Sequence, residues 1–309
     1  MTAAPLYNLV GVPEGGKAIF VSAKDGTKIR IAYWQGGARG TVLLFPGRTE
    51  YIEKYGRMVE KLTARDLNVV VFDWRGQGLS DRPDGRRDRG YVENFVDYQQ
   101  DIAAALNAPE VVALQGPRVL FSHSMGGCIG LRALIDGLDV KGAVFSSPMW
   151  GLSASAKDKV LLSVINVIGR PFGVHKSLVP DTKPTYYVVE NPFEGNELTN
   201  DADYYAMFQS HLAAQPDLGL GGPTIHWAVK AIKEMGLLMD SAVPNIPTLT
   251  FLGTQEVVVD GEAIKSRAKT LPNDRLEIIQ DGKHEVWMET PEIQAQVWNS
   301  MDKFLDRIL

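Results

Sequence analysis

Residues 121–130 read FSHSMGGCIG, the hinge of a longer stretch in which the apolar run RVLFS (118–122) gives way to the helix-like MGGCIGLRALIDGL (125–138). A strand that turns straight into a helix needs small residues at the turn, because the central residue is held in a strained backbone conformation. That central residue is Ser124, in the pattern S-x-S-x-G, with Ser122 at the first small position and Gly126 at the last. The stretch has two readings. One is a tight turn of the kind that any alternating strand–helix protein contains; the other is a turn that displays a nucleophile. The flanking sequence separates them.

Upstream, AIFVSA (18–23) and IRIAYW (29–34) flank the turn-like KDGTK and read as a hairpin. TVLLFP (41–46) and NVVVFDW (68–74) are short unbroken apolar runs, the signature of strands buried on both faces. Between them YIEKYGRMVEKLTARD (51–66) places Ile52, Tyr55, Val59 and Leu62 at helical spacing, and FVDYQQDIAAALNA (95–108) reads as a further helix. KGAVFSS (141–147) is strand again. Strands alternating with helices predict an α/β fold built on a mostly parallel sheet, with functional loops at the carboxyl ends of the strands. After Pro148 this rhythm stops. It resumes with PTLTFLG (247–253), a helix near 261–270, RLEIIQ (275–280) and a closing helix over 291–307. The expected organisation is therefore a core of residues 1–147 and 241–309, interrupted by a helical cap over 148–240.

Composition narrows the function classes. Of the 309 residues, 45% are hydrophobic and 22% charged, ordinary values for a folded domain. A net charge of −5 supplies no basic field for a phosphate backbone, which argues against nucleic acid as a partner. The single cysteine, Cys128, rules out an internal disulfide framework and is expected in the core. The opening MTAAPLYNLVGVPEGGK lacks the basic start and apolar centre of a signal peptide. The longest apolar candidate, VLLSVINVIG (160–169), is interrupted by Ser163 and Asn166 and falls short of the ~18 residues a membrane span requires. The expectation is a soluble cytoplasmic protein, compatible with peripheral contact to lipid.

A serine nucleophile needs a base to take its proton and a third group to orient that base. Five histidines are present. His123 sits inside the turn as a spacer, and His175, His211 and His226 fall in the cap with surface or packing roles. His284, in the loop QDGKHEVW after the last strand, is the expected base. The loop after strand 248–253 reads GTQEVVVD and supplies Glu256 as the orienting acid, whereas Asp260 is placed to cap the following helix. Ser124, Glu256 and His284 thus follow the order nucleophile, acid, base. Two backbone N–H groups are expected to stabilise an oxyanion: Met125, at the start of the helix after Ser124, and Arg48, in the loop FPGRTEY after strand 41–46. No metal-ligand spacing is present, so neither metal nor organic cofactor is expected.

These residues resemble the lysophospholipase and monoacylglycerol lipase branch of the α/β-hydrolases. The resemblance runs along nearly the whole chain, through FPGRTEYIEKYGRMVEKL, VVVFDWRGQGLSDR, SHSMGG, FLGTQEVVVD and DGKHEVW, of which the D-x-R-G-x-G-x-S stretch is the most specific. In that stretch Asp73 and Arg75 are expected to knit the turn after their strand; GQGLSD does not match the phosphate-cradling G-x-G-x-x-G. Three departures from the family pattern stand out. Pro46 replaces the usual histidine before Gly47, Ser122 replaces glycine, and Glu256 replaces aspartate. The resemblance implies a lysophospholipid or monoacylglycerol ester as substrate, while the residues themselves imply an acyl group on a good leaving atom. A peptidase, amidase or thioesterase using the same site, and a hydrolase-fold binding protein without catalysis, are the alternatives. In the cap, Trp150, Leu152, Leu161, Leu162, Ile165 and Ile168 either line an acyl pocket or form the cap's own core, and the acidic stretch 190–203 reads as a solvated face.

Overall fold

The short apolar runs become strands of one nine-stranded sheet in a computed structural model that describes residues 1–153 and 155–309. The strands are β1 (Thr2–Ala3), β2 (Lys17–Ser22), β3 (Lys28–Trp34), β4 (Gly40–Phe45), β5 (Leu67–Phe72), β6 (Arg118–His123), β7 (Ala143–Ser146), β8 (Pro247–Gly253) and β9 (Asn273–Ile279). Their order is β1-β2-β3-β5-β4-β6-β7-β8-β9. The β1-β2-β3-β5 pairings are antiparallel and all the others parallel, which is the mixed, mostly parallel sheet expected. Every residue of β4 and of β5 is buried. Unbroken apolar runs mark strands covered on both faces.

The helices are α1 (Gly56–Thr63), α2 (Tyr98–Leu106), α3 (Pro109–Val112), α4 (Met125–Ile135), α5 (Ala156–Ile168), α6 (Tyr187–Glu190), α7 (Ala202–Ala214), α8 (Ile225–Asp240), α9 (Gly261–Ala268) and α10 (Pro291–Ile308). Strand side chains alternate between faces, so Leu43 and Phe45 join a core with α2, α4, α8 and α9, while Val42 and Leu44 join a second core with α1, α7 and α10. The helix expected over 51–66 begins as a 3₁₀ turn at Ile52–Tyr55 before α1, and the one over 95–108 likewise begins as 3₁₀ at Phe95–Asp97. The two-residue β1 carries no periodic signal and was not legible.

Register places the site. Phe45 lies opposite Ser122, His123 opposite Ser146, Ser146 opposite Phe251, and Gly253 opposite Ile279. The carboxyl ends of β4, β6, β7, β8 and β9 therefore line up along one edge. Among the described residues no strand lies between Ser146 and Pro247; that stretch carries α5 to α8. Helix α8 packs on α4, with Arg132 and Glu234 joined at 2.6 Å. Among the described residues no helix is long and apolar enough to cross a membrane.

Candidate active site

Strand β6 ends at His123 and helix α4 starts at Met125, so Ser124 alone makes the turn, at φ 50° and ψ −119°. A serine at positive φ is strained, and the strain is held by neighbours: the Ser124 N–H donates to the Ser146 carbonyl at 3.1 Å, and the Ser124 carbonyl accepts from Gly127 and Met149, both at 2.8 Å. The small residues are required by contact. A Cβ on Gly126 would sit 2.1 Å from the Phe45 carbonyl oxygen of β4. Ser122, where the pattern has glycine, is accommodated by Gly130 one turn into α4, whose Cβ would lie 2.6 Å from the Ser122 Oγ.

His284 follows β9 and is buried, its Nδ1 lying 2.7 Å from Glu256 Oε2. A carboxylate can only accept, so Nδ1 carries the proton and Nε2 is left free to accept one. The other Glu256 oxygen, Oε1, accepts the Val258 and Val259 N–H groups at 2.7 and 3.0 Å. Burial works to raise the Glu256 carboxyl, but the His284 hydrogen bond and charge and the backbone donors outweigh it and hold it below the usual carboxylate range. Asp260 caps α9, accepting from Glu262 and Ala263 N–H at 2.9 and 3.1 Å, and is thereby committed elsewhere. Ser124 and His284 line the same cavity. No hydrogen bond joins them in this arrangement; such contacts are often long without substrate.

Met125 is the first residue of α4, where an N–H has no intrahelical acceptor. Arg48 lies in the loop after β4, and that loop is braced on both sides of it. Gln77, from the D-x-R-G-x-G-x-S stretch, donates to the Gly47 carbonyl at 3.0 Å and accepts the Thr49 N–H at 3.0 Å. Asp73 accepts from Ile52, Leu79 and Arg30, and Arg75 pairs with Asp101 and Asp25, so both knit the turn. Thr49, next to Arg48, is held at φ 66°. The Arg48 residue is half-buried, and its guanidinium reaches across to the Gly221 carbonyl and the Trp227 ring.

Beneath His284 lies a buried ionic cluster that the sequence reading did not single out. Lys54 Nζ donates to both Glu50 and Glu285, and Glu50 also accepts from Tyr55 Oη and the Gly47 N–H. His123 Nε2 is 3.4 Å from Glu285, its Nδ1 is 3.1 Å from the Ser146 carbonyl, and its ring centre is 4.8 Å from that of His284. Glu50, His123 and Glu285 offer three ligand atoms within 4.8 Å of one another, but the Lys54 ammonium bonded to both glutamates already supplies a compensating cation. The sequence signal was the Glu50–Lys54 spacing of four and the carboxylate adjacent to His284.

The cavity over Ser124 has a volume of about 330 Å³ and mostly apolar walls, from Leu152, Val188, Leu198, Phe208, Leu212, Leu220 and Trp227. Of the apolar residues after Pro148 expected to line a pocket or a core, Leu152 alone reaches it. Trp150 is core, 1% exposed, edge-on to Phe145, with its indole N–H on the Gly127 carbonyl. Leu161 and Ile168 are 57% and 67% exposed and neither lines the cavity over Ser124; Ile168 instead borders an open apolar hollow on the outside of α5 with Val160, Val164 and Val167. The face of α5 that packs inward carries Leu162, Ile165 and Asn166. His175, His211 and His226 are all buried: His211 bonds the Val10 carbonyl, and His226 bonds Asn166 and the Glu93 carbonyl. Cys128 is a free, buried core residue. Within 190–203, Asp201 caps α7 and Glu194 and Asp203 face solvent.

The family described as serine aminopeptidase, S33 matches residues 36–291. The probable lysophospholipase L2 of Haemophilus influenzae is 27% identical over 300 residues, 93% of this chain and 91% of that protein. The monoglyceride lipase of Saccharomyces cerevisiae is 22% identical over 92% of this chain and 91% of its own length. Among solved structures, a soluble variant of that yeast lipase bound to a substrate analog superposes with a TM-score of 0.74 at 18% identity, covering 98% of this chain and 100% of that one. A carboxyl esterase from Bacillus coagulans gives the same TM-score and identity over 96% of this chain and 99% of the other. These structural likenesses carry the α/β-hydrolase fold.

Proposed function

We propose that this chain, which belongs to the serine aminopeptidase S33 family of α/β-hydrolases, hydrolyses carboxylic esters of single-chain lipids, of the lysophospholipid or monoacylglycerol type. The observation that carries the reading is the His284–Glu256 bond at 2.7 Å behind a cavity that also presents Ser124 and apolar walls. Ser124 Oγ attacks the acyl carbonyl carbon while Nε2 of His284 takes the hydroxyl proton. Glu256 fixes the imidazole tautomer and favours its charged form. The negative oxygen of the tetrahedral intermediate accepts the backbone N–H groups of Arg48 and Met125. As the ester C–O bond breaks, His284 returns its proton to the leaving alkoxide oxygen. Water, deprotonated by the same nitrogen, then attacks the acyl carbon, and as the acyl C–Oγ bond breaks His284 returns that proton to Ser124 Oγ and the acid is freed. In this reading residues 148–240 form a cap over a core of 1–147 and 241–309, and the cap walls exclude water from the acyl-enzyme.

The relatives named for lipid esters support the substrate class, as does the apolar lining, which suits an alkyl chain better than a peptide. The test is Ser124→Ala against Ser122→Ala on a panel of glycerol esters, lysophospholipids, thioesters and aminoacyl anilides. Ser124→Ala is expected to lose about 10⁴-fold or more in ester turnover and all labelling by a fluorophosphonate. Ser122→Ala should keep most activity, since its buried Oγ has no hydrogen-bond partner to lose. The opposite pattern in the two variants, or turnover confined to the anilides, would sink the proposal.

A further inference from the structure

The geometry points to the Arg48 side chain as the element that selects a phosphate-bearing head group over an uncharged one, a step that deepens the lipid-ester reading above and rests on it. Its surroundings are those of a cation without a counterion. Among the described residues the guanidinium makes one hydrogen bond, Nη2 to the Gly221 carbonyl at 2.6 Å, and it stacks over Trp227 with Cζ 5.2 Å from the ring centre. Its Nε is buried without a partner, and among the described residues no carboxylate lies within ion-pair distance. Two buried arginines elsewhere are paired with carboxylates. Arg30 holds Glu53 and Asp73, and Arg75 holds Asp101 and Asp25. Arg82 and Arg267 lack a carboxylate and, like Arg48, have a buried Nε without a partner among the described residues, but each is tied by three hydrogen bonds and neither lines the cavity over Ser124. Burial lowers the Arg48 guanidinium to about 10, which leaves it charged at neutral pH. A desolvated, charged guanidinium with donors to spare binds phosphate well, because its planar fork matches two phosphate oxygens.

Position decides which part of a substrate it meets. Arg48 and Thr49 stand in the shared wall between the cavity over Ser124 and a second one of about 360 Å³, where Thr182, Lys183, Thr185 and Asn191 add polar groups to a lining that also holds Tyr186 and Leu220. Of the acidic residues there, Glu190 is paired with Lys183 at 2.6 Å and Asp181 is exposed. The backbone N–H of Arg48 faces the reacting carbonyl in the mechanism above, so its guanidinium lies one side chain's reach from the scissile bond. In a lysophospholipid the phosphate lies one glycerol unit from that same bond. The acyl chain then occupies the chamber over Ser124 and the phosphate the neighbouring one, beside its hydroxyl and amide groups. Gly90 makes the arrangement possible, since a Cβ there would come within 2.7 Å of Arg48 Nη2.

The test compares kcat/KM for short-chain lysophosphatidylglycerol and for monoacylglycerol of the same chain, both below their aggregation concentrations. Wild type is expected to favour the phosphodiester by about 10-fold or more, and Arg48→Gln to erase that ratio, whatever loss the two substrates share. Arg48→Lys should keep part of it. Gly90→Ala, which displaces the guanidinium while leaving Arg48 in place, should lower the ratio in the same direction. Glycerol 3-phosphate should inhibit wild type and lose potency against Arg48→Gln. A wild-type ratio near one, or a ratio unchanged in both Arg48→Gln and Gly90→Ala, would overturn the assignment while leaving lipid-ester hydrolysis standing. Inorganic phosphate inhibiting as strongly as glycerol 3-phosphate, with no preference between the lipids, would also overturn it and leave a bare anion site. Failure to hydrolyse either lipid, with aryl esters still cleaved, would instead refute the lipid-ester reading and this inference with it.

Discussion

Glu256 uses both carboxylate oxygens, one on His284 and the other on two backbone N–H groups, so its additional methylene does not leave the group loose. An aspartate would have to bring the loop closer to reach the same ring. Glu256→Gln keeps the shape but removes the charge and leaves the imidazole tautomer poorly specified. The expected loss is roughly 10²–10⁴-fold in kcat, by analogy with the same change in another triad enzyme. Glu256→Asp should recover part of the rate. Asp260→Asn, which touches only the cap of α9, should cost stability of about 1 kcal/mol or less and little turnover. Rate measurements on the three variants decide the matter: near-normal turnover in Glu256→Gln with collapse in Asp260→Asn would move the acid to Asp260. The placement of these two carboxylates was legible in sequence because an N-cap immediately before a helical run is a local signal, which left Glu256 as the one expected to reach His284. The Arg48 guanidinium was not legible, because its partners Gly221 and Trp227 come from a distant part of the chain.

Elements were read well where one face or both faces of a segment meet the core, and poorly where a helix has two apolar sides. The buried runs of β4 and β5 and the turn at Ser124 are fixed by short-range pattern. Helix α5 is the contrary case. Leu162 and Ile165 pack inward while Val160, Leu161, Val164, Val167 and Ile168 face solvent, and nothing in their spacing distinguishes the two sides. In the proposed function, acyl-chain selection therefore falls to the cavity walls, among them Leu152 before α5 and Phe208 and Leu212 of α7. Leu152→Phe, which adds bulk inside the cavity, should lower kcat/KM for long-chain esters relative to short ones by about 10-fold or more. Ile168→Ala, at a position 67% exposed, should leave the chain-length profile where it was. A profile shifted by Ile168→Ala and not by Leu152→Phe would mean that the acyl chain runs along the outside of α5.

Across the whole molecule, the cluster of Glu50, Lys54, His123 and Glu285 ties together the ends of three strands. Glu50 and Lys54 follow β4, His123 ends β6, and Glu285 follows β9, so the cluster fastens the loop carrying Arg48 to the loop carrying His284. Charges buried this deeply stabilise only as a matched set, because a lone member keeps its desolvation cost. With His123 protonated there are two cations against two carboxylates. Burial pushes the His123 imidazole down, but Glu285 and Glu50 outweigh burial and the opposing Lys54, and the net shift is upward from 6.5. For Glu285 burial acts upward, yet Lys54 and His123 hold its carboxyl well below 4.5. The signs give a window. A histidine with a raised folded-state pKa contributes fully below its unfolded value and loses that contribution as pH rises through the folded value. A carboxylate with a depressed pKa contributes above its unfolded value and loses it as pH falls through the folded one. Both contributions are present together between about 4.5 and 6.5, the two ordinary values. The melting-temperature advantage of wild type over His123→Asn should therefore be greatest in that interval and shrink as pH is raised toward 9. Most other titrating groups are common to both proteins and cancel in the difference. An advantage that stays constant from pH 5 to pH 9 would show that His123 remains neutral throughout, and that Lys54 alone balances the two glutamates.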